Sequence, residues 1–307
     1  MSASFAFVFP GQGSQTVGML DAWGDHPEVR RTLEEASAAL GEDVGALIKN
    51  GPKEQLDLTT NTQPVMLTAG IACYRAWLAE TGLKPAVAAG HSLGEYTALV
   101  AAEALPLVRF RAQAMQEAVP VGVGAMAAIL GLDAAAVREG CAAAAQAVGE
   151  AVEAVNFNDP KQTVIAGTKA GVDKACEVLK AAGAKRALPL AVSAPFHSSL
   201  MKPAADRLRE RLAAVDFKPM AIPVINNIDV GISADADALR DALYRQAFGP
   251  VRWVEIVQAI KARGISHVIE CGPGKVLAGL AKRVDAEIQS ATVLDPASLA
   301  EARTLLG

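Results

Sequence analysis

The sequence predicts an α/β protein: a mostly parallel sheet with helices on both faces, carrying a small inserted domain. Three observations predict it. Short apolar runs alternate with longer amphipathic helices through most of the 307 residues, as the strand–helix units of a parallel sheet require. The apolar runs stop at glycine or proline. Between 123 and 194 the rhythm changes to β-α-β-β-α-β. Composition agrees, since 51% hydrophobic and 20% charged residues suffice to bury a large core.

The first strand is Phe5 to Phe9, stopped by Pro10-Gly11. A helix is expected over Pro27 to Leu40 and a longer, mostly buried one over Pro64 to Ala79. Ala86 to Ala89 reads as a short buried strand, followed at once by a helix from Leu93 to about Ala104. Pro106 fits a first helical position and opens a helix to about Ala118. The inserted segment then supplies a strand at Ala125 to Leu130 and a helix at Ala134 to Ala147. Strands at Glu153 to Phe157 and Thr163 to Ala166 flank an Asn158-Asp159-Pro160 turn. A helix at Lys169 to Ala182 stops at Gly183, and Arg186 to Val192 is the last strand. This order is the ferredoxin-like pattern.

Beyond it the α/β rhythm resumes. A helix over Ser198 to Val215 carries Met201, Ala204, Leu208, Leu212 and Val215 on one face. Ile222 to Ile225 is a strand, and helices follow at Ala236 to Gln246 and Val251 to Lys261. A strand at Ser266 to Glu270 ends in Gly272-Pro273-Gly274. Helices at Lys275 to Arg283 and Pro296 to Leu305 complete the chain. The expected domains are residues 1–122 with 195–307, and 123–194.

The formal net charge of −4 offers no polyanion-binding surface, so no nucleic-acid partner is expected. No run approaches the ~18 uninterrupted apolar residues of a membrane span. The segment Ser2 to Pro10 lacks the basic start and the apolar length of a signal peptide. Cys73, Cys141, Cys176 and Cys271 form no CxxC pair, which argues against a zinc site and fits a reducing, cytoplasmic setting.

Gly90-His91-Ser92-Leu93-Gly94 is a GxSxG between a buried strand and a helix. That is the setting of a nucleophile elbow in a hydrolase-like core. Ser92 is the candidate nucleophile, and the helix N-terminus beyond it offers N–H groups to an oxyanion. A serine needs a base, and there are four histidines. His26 stands at a polar helix start. His91 adjoins the serine, where side chains at an elbow point apart. His267 is mid-strand. His197 lies where a strand gives way to a helix, the place where α/β sites collect, and is the favoured base. Acids between Ser92 and His197 (Asp133, Glu139, Glu150, Glu153, Asp159, Asp173, Glu177) lack a strand-end setting, so no standard triad is evident. Gly11-Gln12-Gly13-Ser14-Gln15 follows the first strand and can present N–H groups to an anion or simply form a tight turn. Arg111 shares a helix face with Leu107, Ala114, Met115 and Ala118. A guanidinium on an apolar stripe needs an anion, either an internal acid or a substrate carboxylate held in bidentate fashion.

Together these motifs resemble the malonyl-CoA:acyl carrier protein transacylases, from about Phe7 to Arg283. The resemblance rests on Phe9-Pro10-Gly11-Gln12-Gly13-Ser14-Gln15, on Gly90-His91-Ser92-Leu93-Gly94-Glu95-Tyr96, on Arg111 with Met115-Gln116, and on Ala194-Pro195-Phe196-His197. Asn226-Asn227, Arg245-Gln246 and Gly272-Pro273-Gly274-Lys275 also fit, whereas Ala112 stands where many members have glycine. The resemblance implies a malonyl-Ser92 ester formed with His197 as base, in a ping-pong reaction without metal or redox cofactor. It implies that the Gln246 side-chain carbonyl holds one ring nitrogen of His197, that N–H groups of Gln12 and Leu93 form the oxyanion hole, and that Arg111 binds the malonyl carboxylate. Phe196, with His91 and Gln12, is expected to line the acyl site, since a phenylalanine at the position of Phe196 goes with malonyl and a serine with methylmalonyl. The implied partners are malonyl-CoA and an acidic, transiently bound acyl carrier protein, with the chain acting as a monomer. A local basic patch is expected to meet that carrier; Lys185, Arg186, Lys275, Lys282 and Arg283 are its candidates, and ordinary solvated surface charge is the simpler reading of each. A thioesterase or lipase-like hydrolase would share the serine and the base, and Arg111 is the residue that discriminates. A non-catalytic acyl-CoA-binding or scaffold domain would need none of the three.

Overall fold

The structure is a computed structural model and describes residues 3–99, 105–120 and 122–307. Its internal contacts divide the chain into two compact units. The first comprises Met1–Ala112, Pro219–Asn226 and Ile256–Gly307, and the second Gln113–Lys218 and Asn227–Glu255.

In the first unit, β1 (Phe5–Phe9) is buried at every position, as a strand covered on both faces must be. Helices α1 (Pro27–Leu40), α2 (Val44–Asn50), α3 (Lys53–Leu56) and α4 (Thr59–Thr81) follow. Helix α4 is buried over most of its length. Its Tyr74 and Trp77 meet Phe5 and Phe7 edge-on, with ring centroids 5.5–5.8 Å apart, the geometry aromatic pairs prefer. Then come β2 (Val87–Gly90), α5 (Leu93–Leu99) and most of α6 (Leu105–Glu117). The end of the helix expected to reach Ala104 lies outside the described residues. The sheet is parallel throughout and is completed by three strands from later in the chain, in an order given below.

In the second unit, β3 (Gly124–Leu130), α7 (Ala134–Val148), β4 (Val152–Asp159), β5 (Gln162–Thr168), α8 (Lys169–Ala181) and β6 (Arg186–Pro189) form an antiparallel sheet of order β4-β5-β3-β6. Ala127, Ile129, Val152 and Ile165 pack with Val137, Val172 and Leu179 of its two helices. The chain continues through α9 (Lys202–Ala213), β7 (Val224–Ile225), α10 (Ala236–Gln246), α11 (Trp253–Ala262), β8 (His267–Cys271), α12 (Val276–Val284), β9 (Gln289–Val293) and α13 (Pro296–Leu306). Strands β7, β8 and β9 return to the parallel sheet, in the order β7-β2-β1-β8-β9.

Most expected elements are present, with three kinds of difference. Helices α2 and α3 and strand β9 were not expected. Strand β6 stops at Pro189 rather than Val192, although the Leu190 N–H still donates to the Met126 carbonyl of β3 at 2.9 Å. The helix expected from Ser198 begins as a short 3-10 turn at Ser199–Met201 before α9. The contact-based units also group 195–218 and 227–255 with the small sheet, whereas the sequence rhythm groups them with the large one. Direct bonds explain the grouping: Ser199 and Val251 are both hydrogen-bonded to β4.

Candidate active site

The first unit gathers one cluster of candidate residues at the carboxyl edge of the parallel sheet. The pairing of Phe9 with Gly90 makes the loops after β1 and β2 leave side by side. The chain then turns sharply through His91 and Ser92 into α5. Ser92 has a left-handed backbone, φ 55°, a conformation costly for a residue with a Cβ. Glycines make the turn possible. A Cβ at Gly90 would lie 1.9 Å from the Gly94 carbonyl, and one at Gly94 would lie 2.0 Å from the Phe9 oxygen. The His91 N–H donates to the Phe9 carbonyl at 3.0 Å, and the His91 carbonyl accepts from Gly94 at 2.9 Å. Ser92 therefore stands at the start of α5, with Leu93 its first helical residue, where N–H groups lack intrahelical acceptors.

Arg111 on α6 is 1% exposed. Its Nη1 donates to Gln63 Oε1 at 2.6 Å, and its Nη2 lies 3.5 Å from Ser92 Oγ. The guanidinium covers the Tyr96 ring at 5.1 Å. Burial pulls the Arg111 pKa down, while Tyr96 and the buried Glu95 pull it up. Burial likewise pushes the Tyr96 hydroxyl up to about 12. Gln63 Nε2 donates to Gln12 Oε1 at 3.1 Å, and Gln12 Nε2 donates to Thr59 Oγ1 at 3.3 Å. A chain of polar contacts thus runs from Thr59 through Gln12, Gln63 and Arg111 to Ser92.

Gln63 was not among the expected residues. Its signal is present in the sequence: a glutamine inside an apolar helical run, fully buried, is costly unless both ends of its amide are bonded. Arg109, by contrast, pairs with Glu42. Nearby, Glu270 at the end of β8 is fully buried and accepts the Ala278 N–H of α12 at 2.8 Å. Burial raises its pKa to about 7, against the pull of the α12 amides.

The second unit gathers another cluster. His197 is 3% exposed and, like Ser92, has a left-handed backbone, φ 66°. Its Nδ1 lies 3.0 Å from the main-chain carbonyl of Gln246. A carbonyl can only accept, so Nδ1 carries the proton and Nε2 keeps the lone pair a base needs. This corrects the expectation that the Gln246 side chain makes the contact. Gln246 is the last residue of α10, and the terminal carbonyls of a helix have no intrahelical donors. Phe196, beside the histidine, is buried. Gly124 makes room for the loop, since a Cβ there would lie 2.4 Å from Pro195 Cδ.

The remaining histidines outside the elbow have local partners. His26 accepts the Glu28 N–H at the start of α1 and lies 3.4 Å from Glu80, and His267 meets Ser266 Oγ at 3.2 Å. Among the described residues no group of three or more His, Cys, Asp or Glu could hold a metal ion. No described helix is long and apolar enough to cross a membrane.

The model of one protein family, the acyl transferase domain, matches residues 6–297. A malonyl CoA-acyl carrier protein transacylase of Escherichia coli (strain K12) is 52% identical, covering 98% of this chain and 99% of the relative. One from Bacillus subtilis (strain 168) is 44% identical, covering 97% and 95%. Among solved structures, an acyl-carrier-protein S-malonyltransferase from Burkholderia pseudomallei 1710b superposes with TM-score 0.96 at 66% identity, over 98% of this chain and 99% of that one. A malonyl-transacylase in complex with its type II PKS acyl-carrier protein superposes with TM-score 0.96 at 49% identity, over 99% and 100%.

Proposed function

The chain belongs to the acyl transferase domain family, and from that premise we infer its reaction and the work of its residues. It transfers a malonyl group from malonyl-CoA to an acyl carrier protein, for fatty acid or polyketide synthesis. Ser92 Oγ attacks the thioester carbon while His197 Nε2 takes its proton. The N–H groups of Leu93 and Gln12 stabilise the oxyanion. The intermediate collapses to a malonyl-Ser92 ester, and the CoA thiolate leaves with the proton held by His197. The thiol of the carrier's phosphopantetheine arm then gives its proton to His197 and attacks the ester, and Ser92 recovers its proton. Thioester and ester exchange without any change of oxidation state, so the scheme needs no redox cofactor, and it assigns to the Leu93 and Gln12 N–H groups the oxyanion stabilisation that a metal would otherwise supply.

The observation that carries these roles is the buried Arg111 guanidinium, 3.5 Å from Ser92 Oγ and held by Gln63. It is a fixed cation next to the nucleophile, suited to the free carboxylate of a malonyl group and of no use to a lipid hydrolase. Phe196 and His91 are assigned to the acyl site. The elbow on a parallel sheet supports a hydrolase-like core, and the order β4-β5-β3-β6 with helices α7 and α8 supports a ferredoxin-like small domain at 123–194. Lys185, Arg186, Lys275, Lys282 and Arg283 are the proposed contacts for an acidic carrier. One chain carries every residue in the scheme, the ground for expecting a monomer. Cys73, Cys141, Cys176 and Cys271 are free thiols, in keeping with the cytoplasm. The test is to mix protein and malonyl-CoA without acceptor and map the adduct by mass spectrometry. A malonyl ester on Ser92 that is absent in Ser92→Ala is expected. An adduct that persists, or that maps to a cysteine, refutes the assignment.

A further inference from the structure

Glu153 is among the acids without a strand-end setting, and it does not touch the His197 ring in any bond described above. It does hold the loop that carries His197. Glu153 lies on β4, an edge strand of the four-stranded sheet. Its Oε2 accepts the Ser199 N–H at 3.0 Å, and its Oε1 accepts the Ser199 hydroxyl at 2.6 Å. Two bonds to one planar carboxylate fix orientation as well as position. Ser199 is two residues beyond His197 and opens the 3-10 turn that leads into α9, where a negative charge is favourable.

The same strand supports the other attachment of the imidazole. The Val251 N–H donates to the Val155 carbonyl at 2.8 Å, and the Phe157 N–H donates to the Val251 carbonyl at 2.9 Å. Val251 lies just beyond α10, whose last residue, Gln246, supplies the carbonyl at His197 Nδ1. A register shift between Ala154 and Asn156 interrupts β4 between these two anchor points, as bulges do where a strand re-aims its side chains. The edge of β4 thus holds both the loop bearing His197 and the segment after its acceptor. The left-handed backbone of His197 needs such holding, because an unconstrained residue with a Cβ leaves that region.

We propose that Glu153 is a positioning residue for His197, acting through Ser199 to keep the imidazole on the Gln246 carbonyl. The proposal rests on His197 being the base. In the full-length enzyme, Glu153→Ala is expected to lower kcat for malonyl transfer about tenfold to a hundredfold, the effect of a small misplacement. KM for malonyl-CoA should change by less than about twofold, since substrate binding is untouched. Glu153→Gln should recover most of kcat, because the amide oxygen still accepts the Ser199 N–H and its NH₂ can donate to the hydroxyl. Ser199→Ala should give a smaller loss. The double variant E153A/S199A should be no slower than Glu153→Ala, since both changes cut one link. Wild-type kcat in Glu153→Ala overturns the proposal. So do single losses that multiply in the double variant, and so does a loss of folded protein with unchanged kcat per folded molecule. If Glu153→Ala does not fold, Ser199→Ala decides: reduced kcat at constant KM supports the link and wild-type kcat overturns it. His197→Ala separates the two readings. If it is inactive while Glu153→Ala keeps wild-type kcat, only the positioning role falls; if it keeps full kcat, both fall.

Discussion

Arg111→Ala separates transfer of a malonyl group from handling of acyl groups in general. The side chain is buried, its Nη1 is held by Gln63 at 2.6 Å, and its Nη2 lies 3.5 Å from Ser92 Oγ. A malonyl carboxylate bound there gains a charged, desolvated partner. Removing one member of such a pair costs about 3–5 kcal/mol, or about 10²–10⁴-fold in kcat/KM for malonyl-CoA. Acetyl-CoA has no carboxylate to lose, and its methyl group gains space beside Ser92. Its kcat/KM should hold or rise. Stability faces two opposed effects. Gln63 Oε1 loses its donor, at a cost of about 1–3 kcal/mol, while the desolvation of the guanidinium is relieved. The melting temperature should therefore move by no more than about 5 °C. The assay is kcat/KM for both acyl-CoAs with one carrier protein, beside a melting curve. If both substrates fall by the same factor and the protein melts much earlier, Arg111 is a structural cation paired with an internal acid such as Glu95, and its assignment to substrate is wrong.

The acyl pocket and the acid at the sheet edge give two further tests. Phe196 is bulky and buried beside His197, so malonyl-CoA should be preferred over methylmalonyl-CoA and Phe196→Ser should narrow the gap; equal kcat/KM values in the unmutated enzyme would refute the crowding. Glu270 has a pKa raised from 4.5 to about 7 by burial, so the folded protein holds its proton more tightly than the unfolded chain. The stability this contributes is complete below about pH 4.5 and lost as pH rises through about 7, on the order of 3 kcal/mol in all. Glu270→Gln keeps an acceptor for Ala278, and should flatten the fall in melting temperature between pH 5 and about pH 8 and melt higher than wild type at the upper end. Parallel pH curves for the two proteins would show that Glu270 titrates normally.

The elements most legible in the sequence are those whose chemistry is local. Phe5–Phe9 is apolar at every position and stops at proline. The serine elbow is written in glycines 90 and 94, which the backbone cannot replace. Arg111 stands out because it interrupts an apolar helix face. What was hidden depends on tertiary neighbours. Helices α2 and α3 are short, and a few residues carry too little periodicity to register. Strand β9 is Gln289-Ser290-Ala291-Thr292-Val293, half-polar because it forms the edge of its sheet, so it lacks the apolar run of a central strand. The Gln246 contact with His197 uses a main-chain carbonyl, a group every residue has, so its side chain gives no sign of it. Gln63 needed the fold to show what its buried amide bonds to.

Strand β6 bears on how this enzyme behaves when crowded. It is the outer strand of its sheet, and Leu188, Leu190 and Val192 are exposed at 44%, 37% and 40% in and just after it. An open edge beside greasy side chains is an invitation to cross-β stacking between molecules. The ladder decides which backbone groups such a stack could use. Leu190 donates its N–H inward to Met126, so alternation turns position 189 outward. That position is proline, which has no N–H to offer, and its ring occupies the space where an incoming strand would register. The molecule therefore keeps an apolar rim open to solvent while withholding one of the outward donors that an aggregate would use; by the same alternation Ala187 keeps its own.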